Sequence, residues 1–140
     1  MQRGDIVPGY VTMALLETEL QRLAGSCDGV LIDGFPRAMD QAEDFERVIA
    51  VCEFVLFINC SKPVMMERLL KRGTTSGRAD DNEEVMLKRL NTFEKKTMPV
   101  VEHYRDKGIL HVIDSDVGDA EQVYRQTRQV FEKTLSRKPQ

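Results

Sequence analysis

Residues 31–37 read Leu-Ile-Asp-Gly-Phe-Pro-Arg, and they set a carboxylate and a guanidinium at the end of an apolar run. Val30, Leu31 and Ile32 form the run, Asp33 stops it, Gly34, Phe35 and Pro36 make a turn, and Arg37 follows. This is the pattern of a buried strand delivering an acid and a base to its C-terminal end. Open α/β sheets place ligands at that edge. A strand followed by an ordinary turn accounts for the same residues, with Gly34 and Pro36 merely shaping the bend.

Four further arginines extend the pattern. Arg68 and Arg72 are four apart on one expected helix and share a face. Arg78 lies in a polar loop beside Asp80 and Asp81, and Arg89 lies two turns into the next helix. With Arg37, these guanidiniums could converge on one cleft. Such a cluster is costly unless an anion fills it, because like charges repel and each buried donor needs a partner. Phosphate is the natural occupant, since a guanidinium fork matches its oxygens at two points. Chemistry on a phosphoryl group in flight is largely positioning and electrostatic stabilisation. The alternative places these arginines on solvated helix faces in surface ion pairs, as most single arginines are. The i,i+4 spacing supports either reading.

The elements that must position these residues alternate along the chain. Val11, Leu15, Leu16, Leu20 and Leu23 recur at helical spacing, and Gly25 can end that helix. Strands are expected at Val30–Asp33, Phe54–Asn59 and Leu110–Asp114, with a helix from about Met39 to Val51 between the first two. Ser61 can cap the next helix, Pro63 suits its first turn, and Gly73 stops it after Arg72. Residues 73–81 read as a short loop. Asp81 with Glu84 forms a capping box for a helix to about Lys96, although Asp80 and Asp81 could serve as caps and nothing more. Pro99 opens another short helix that Gly108 closes, and Asp119 with Gln122 caps a last one through about Leu135. Residues 136–140 read as a flexible tail. Strands separated by helices imply βαβ units and a mostly parallel sheet.

Composition bounds the partners. The chain has 140 residues, 41% hydrophobic and 31% charged, which suits one globular domain spanning 1–140. A net charge of −3 without a basic block argues against a nucleic-acid groove. No apolar run approaches the roughly 18 residues of a membrane span, and the N-terminus has no signal-peptide h-region. Cys27, Cys52 and Cys60 are far apart and odd in number, which suggests neither a disulfide framework nor a zinc site and fits a reducing cytoplasm. Cys52 and Cys60 are expected to be buried thiols. His103 and His111 lack metal-ligand spacing and read as surface or packing residues.

The segments LIDGFPR, ERLLKRG, TSGRADDNEE and KRL, in this order and spacing, resemble a short-lid adenylate kinase of the nucleoside monophosphate kinase family. The resemblance covers essentially the whole chain, beginning at Gly4–Pro8. It implies an α/β fold, a P-loop nucleoside-kinase-like parallel sheet flanked by helices. It implies reversible transfer of the terminal phosphoryl of ATP to AMP, giving two ADP, with Mg2+. Asp5, Ile6 and Val7 resemble the lining of the AMP base pocket, though Val7 could be simple core. Gly34, Phe35, Pro36 and Arg37 resemble the AMP-binding turn, and Gln41 the residue that hydrogen-bonds adenine. Arg68 resembles the arginine that stacks on the ATP base, and Arg72 one that contacts its phosphates. Arg78 and Arg89 resemble the pair that grips the transferring phosphoryl and the AMP phosphate, so Arg72, Arg78 and Arg89 are the expected catalytic residues. Asp33 resembles the acid that orients Mg2+-bound water. Gly118, in the turn near the ATP adenine, completes the ATP-binding set. Residues 73–81 would be the lid. Gln41 favours adenylate over the UMP/CMP kinases, which remain the alternative within the family.

One departure is large. The family pattern opens with a strand, a Gly-rich P-loop and a helix, yet no Gly-Lys dipeptide occurs in these 140 residues. Roughly the first 60 residues of the pattern are expected to be absent. The family strand order 2-3-1-4-5 would then leave Val30–Asp33 and Phe54–Asn59 facing each other across a gap of about 10 Å, twice the interstrand spacing. Unpaired edges of that kind favour self-association. A non-catalytic truncated form that binds only nucleotide or a protein partner is the second functional reading.

Overall fold

Val55–Asn59 and Leu110–Asp114 each supply a short run of apolar residues, and they pair in parallel as β1 and β2. The register runs from Val55 opposite Leu110 to Asn59 opposite Asp114. A computed structural model describes residues 7–73, 83–116 and 119–136, and among these the two strands form the whole sheet.

Helices surround the pair. The first, α1 (Gly9–Leu23), ends where Gly25 takes a positive φ of 75°, a conformation glycine adopts without Cβ strain. The second, α2 (Met39–Val48), packs against α1. It stops three residues short of the expected Val51. After β1 comes α3 (Lys62–Gly73), in which the Met65 amide donates to the Ser61 carbonyl at 2.9 Å, so Ser61 stands at the helix entry. Next are α4 (Glu83–Thr92), a π-turn (Phe93–Thr97) and α5 (Met98–Asp106), which run on without a break. Gly108, with φ 72°, turns the chain into β2. The last helix, α6 (Ala120–Leu135), starts at Asp119, whose carboxylate accepts the Glu121 amide at 2.9 Å.

The core is small and sits where α2, α5 and the strands meet. Ala42, Val100 and Tyr104 are buried together, with Met39, Cys52, Val55, Ile109 and Leu110 packed around them. Ile113 of β2 is also buried, at 1% exposure. At the edge of this core Glu46 of α2 forms an ion pair with Lys107, just after α5. Burial and the Glu46 carboxylate push the Tyr104 hydroxyl well above the usual tyrosine range. Phe54 meets Phe131 of α6 edge-on at 5.1 Å and seats that helix beside the strands.

The parallel sheet flanked by helices agrees with the expected α/β class. The expected strand at Val30–Asp33 does not form: the segment is irregular, Val30 is 46% exposed and Leu31 73% exposed. A strand exists only through its ladder, and no described strand lies within pairing reach of this segment. Gly73, expected in the lid loop, is the last residue of α3, and residues 74–81 of that loop lie outside the described residues. Ser136, expected in the tail, forms the C-cap of α6, while 137–140 lie outside. Cys52 and Cys60 are half-buried, Cys27 is exposed, and all three are free thiols. No described helix is long and apolar enough to cross a membrane.

Ala42 has no exposed surface, so added volume there has nowhere to go. Ala42→Leu is expected to destabilise the chain by about 1–3 kcal/mol through overpacking against Val100 and Tyr104. A urea unfolding midpoint lowered at unchanged slope is the measurement; an unchanged midpoint contradicts this core.

Candidate functional site

The Gly34–Arg37 turn is built from its own residues outward. Gly34 takes φ 71°, which favours glycine, and the Phe35–Pro36 peptide is cis. Phe35 packs edge-on against Phe45 of α2 at 5.5 Å, fixing the turn to the core. The Arg37 amide donates to Gln41 Oε1 at 2.9 Å, and the Arg37 carbonyl accepts the Thr97 hydroxyl at 2.9 Å. Both main-chain polar groups of Arg37 are therefore held by side chains from different elements. Its guanidinium folds back so that Nε donates to the Gly34 carbonyl at 2.6 Å. A Cβ on Gly34 would stand 2.9 Å from Arg37 Nη2, so glycine also leaves room for this fold.

Gln41 is 4% exposed, and besides the Arg37 amide it reaches Val7, with Nε2 donating to the Val7 carbonyl over 3.5 Å. The two expected base-pocket residues thus touch each other. They share a cleft of about 540 Å³ that Pro8, Ala38, Met39 and Pro99 also line, with Asp40, Lys95 and Lys96 supplying charge. The sequence reading passed over Lys95, Lys96 and Thr97. Two adjacent lysines one turn before Pro99 were the available signal, and the target of Thr97, 60 residues away, left none.

A second set of residues gathers at the C-terminal edge of the sheet. Arg68 of α3 donates through Nη2 to the Ser115 carbonyl at 2.6 Å and through Nη1 to the Ser115 hydroxyl at 3.3 Å. Ser115 is 4% exposed, and its hydroxyl donates to the Asn59 carbonyl at 2.8 Å. The Asp116 carboxylate accepts the Ser61 amide at 2.8 Å and so caps α3 from the other strand's loop. This bond, with further hydrogen bonds from the Ser61 and Cys60 side chains and the charge of Arg68, holds the Asp116 carboxyl below its ordinary value. Arg68, expected at the ATP base, thus contacts Ser115, three residues before Gly118 in sequence. Arg68 is spent on Ser115 in this arrangement, not stacked on a ring.

Arg72 lies in the last turn of α3 and Arg89 in the last turn of α4, and these two helices pack together. Asp33 is exposed and precedes the Gly34 turn. Its hard oxygen donors suit Mg2+ held through water. Asp5, Ile6, Arg78 and Gly118 lie outside the described residues.

The adenylate kinase family model matches residues 1–109 of this chain. The chain belongs to the adenylate kinase family. It is 47% identical to a UMP-CMP kinase of Lentinula edodes over 146 aligned positions, covering 97% of this chain and 64% of that protein. It is 42% identical to a uridylate kinase of Saccharomyces cerevisiae, covering 96% of this chain and 66% of that protein. Adenylate kinase isoenzyme 1 of Gallus gallus is 39% identical, with 95% of this chain and 68% of that protein covered. The chain therefore spans about two thirds of the length of these curated family members.

The Asp116 cap carries a pH signature. A carboxyl depressed in the folded state contributes stability that is present above its unfolded pKa, about 3.9, and lost as pH falls through the lower folded value. Acid unfolding followed by circular dichroism should therefore begin below about pH 4 for the native chain. In Asp116→Asn that acid dependence is expected to be shallower. An identical acid limb in the variant counts against the cap.

Proposed function

We propose that this chain serves phosphoryl transfer from ATP to a nucleoside monophosphate, with AMP as the acceptor, two ADP as products and Mg2+ accompanying the ATP. The observation that carries the reading is the Val7–Gln41–Arg37 chain of contacts beside the cleft, together with family membership. Gln41 Oε1 has a second lone pair and Nε2 a second N–H beyond those used on Arg37 and Val7. One donor and one acceptor side by side is the complement of an adenine edge. Arg37, four residues earlier, would meet the phosphate of the same nucleotide in this reading.

In this reading an oxygen of the AMP phosphate attacks the γ-phosphorus, the bond to the β-phosphate oxygen breaks, and ADP leaves on each side. No protein nucleophile is required. Arg37, Arg78 and Arg89 hold the anions against their mutual repulsion, Arg72 steadies the donor phosphates, and Arg68 with the 115–119 loop, Gly118 included, meets the ATP base. Asp5, Ile6 and Val7 line the acceptor base pocket, with Gly34, Phe35 and Pro36 shaping its phosphate end. The metal supplies charge neutralisation on the phosphate oxygens, and Asp33 is the residue suited to hold its water. Residues 73–81 act as the lid that excludes competing water. Free thiols support a cytoplasmic setting.

A second reading takes UMP or CMP as the acceptor. It is favoured by two family members at 42% and 47% identity, named uridylate kinase and UMP-CMP kinase. A coupled ADP-formation assay with MgATP and AMP, UMP or CMP separates the two. The expected result is faster turnover with AMP than with either pyrimidine nucleotide. Faster turnover with UMP or CMP selects the second reading, and monophosphate binding without turnover leaves a binding role only. Arg78→Ala is expected to lower kcat by orders of magnitude with a smaller effect on KM. An unchanged kcat contradicts the role given to Arg78.

A further inference from the structure

Among the described residues, four threonines sit in or beside helical turns with their hydroxyls engaged, and one behaves differently. Thr18, Thr92 and Thr127 each donate to the carbonyl four residues earlier, at 2.8, 2.9 and 2.9 Å. This is the ordinary local bond of a helical threonine, and it costs nothing in distant structure. Thr97 instead sends its hydroxyl across the molecule to the Arg37 carbonyl. It stands at the end of the π-turn, where an extra residue per turn changes the direction of every side chain that follows. π-Turns are poor helical geometry and persist where a side chain must be aimed.

The bond joins two parts that the proposed function assigns to one anion. Arg37 ends the Gly34 turn, while Arg89 lies eight residues before Thr97 on the same continuous helical rod. Gln41 holds the amide of Arg37 from α2, and Thr97 holds its carbonyl from the rod. Among the described residues, removing the Thr97 bond leaves the Arg37 main chain held by Gln41 of α2. With that bond, the turn is tied to the helix that carries Arg89.

We infer that Thr97 is a positioning residue of the monophosphate site, fixing the Arg37 turn relative to the rod of Arg89 so that both arginines address one phosphate. This rests on the reading given under Proposed function and names a residue that the motifs of that reading do not include. Thr97 acts through Arg37 and does not itself touch the nucleotide.

The test is isothermal titration of the whole 140-residue chain with AMP, UMP and CMP, for the native sequence, Thr97→Val and Thr97→Ser, with melting temperatures taken alongside. Valine keeps the shape and removes the donor; serine keeps the donor and removes the methyl. Loss of one hydrogen bond predicts monophosphate affinity about fivefold weaker in Thr97→Val, with Thr97→Ser close to native even where its melting temperature is lower. Should the valine variant not fold, Thr97→Ala gives the same comparison against serine. Native affinity in the donor-less variant, or affinities that simply follow melting temperature, overturn the inference and leave the functional reading standing. A native chain that binds none of the three nucleotides overturns the functional reading itself, and this inference with it.

Discussion

Parallel pairing of Val55–Asn59 with Leu110–Asp114 brings two C-terminal strand ends to one edge, and the placement of Arg68, Ser115 and Asp116 follows from it. Ser115 is next to Asn59 because the ladder ends there, and the Ser115 amide continues it by donating to the Asn59 carbonyl at 2.9 Å. With Ser115 fixed, its carbonyl and hydroxyl become the anchor for Arg68, and Asp116 reaches the first amide of the α3 region. A helix entry carries unsatisfied N–H groups and a partial positive charge, so a carboxylate from the neighbouring strand's loop is stabilising there. The entry of α3 and the direction of Arg68 are set by contacts at the sheet edge.

The Arg37 turn is organised by main-chain satisfaction. A turn that leaves Arg37's N–H and C=O unpaired would drift, because water could take either group in many geometries. Here Gln41 and Thr97 take them from two elements that are already packed: α2 through Ala42 and Phe45, and α5 through Val100 and Tyr104. The small core thus does more than stabilise. It sets the distance between α2 and α5, and the Arg37 turn is suspended between them.

Much of this was legible in the residue pattern because the signals were local. The apolar runs at 54–59 and 110–114 gave strands, Gly25 and Gly108 marked chain reversals with positive φ, and Asp119 marked the start of the last helix. Among the expected site residues, Val7 and Gln41 are in contact, and so are Arg68 and Ser115. The failures were non-local. Val30–Asp33 has the composition of a buried strand, but composition cannot supply a ladder partner, and the segment lies exposed. Pro99 reads as the start of a separate helix because it lacks an N–H for the preceding turn. It does stand in the first turn of α5; what the pattern hid is the π-turn joining α4 to that helix, where the exposed Lys95 and Lys96 lie. The hydroxyl of Thr97 had no readable target, since its partner is 60 residues away.

Arg37 folds its guanidinium back onto its own turn through one of its donors. Its guanidinium has five N–H donors, and the fold-back to the Gly34 carbonyl takes the one on Nε. That bond takes no N–H of the terminal nitrogens, the pair whose geometry matches two phosphate oxygens. An arginine left to rotate would lose side-chain entropy on gripping an anion, of order 1–2 kcal/mol for so long a chain. Fixing Nε in advance removes part of that loss before any ligand arrives. Gly34 is what permits it: any Cβ would crowd Arg37 Nη2 at 2.9 Å, and the backbone there already has the positive φ that glycine tolerates best. The glycine and the arginine three residues later are therefore one device. The first residue's missing side chain gives the second its place.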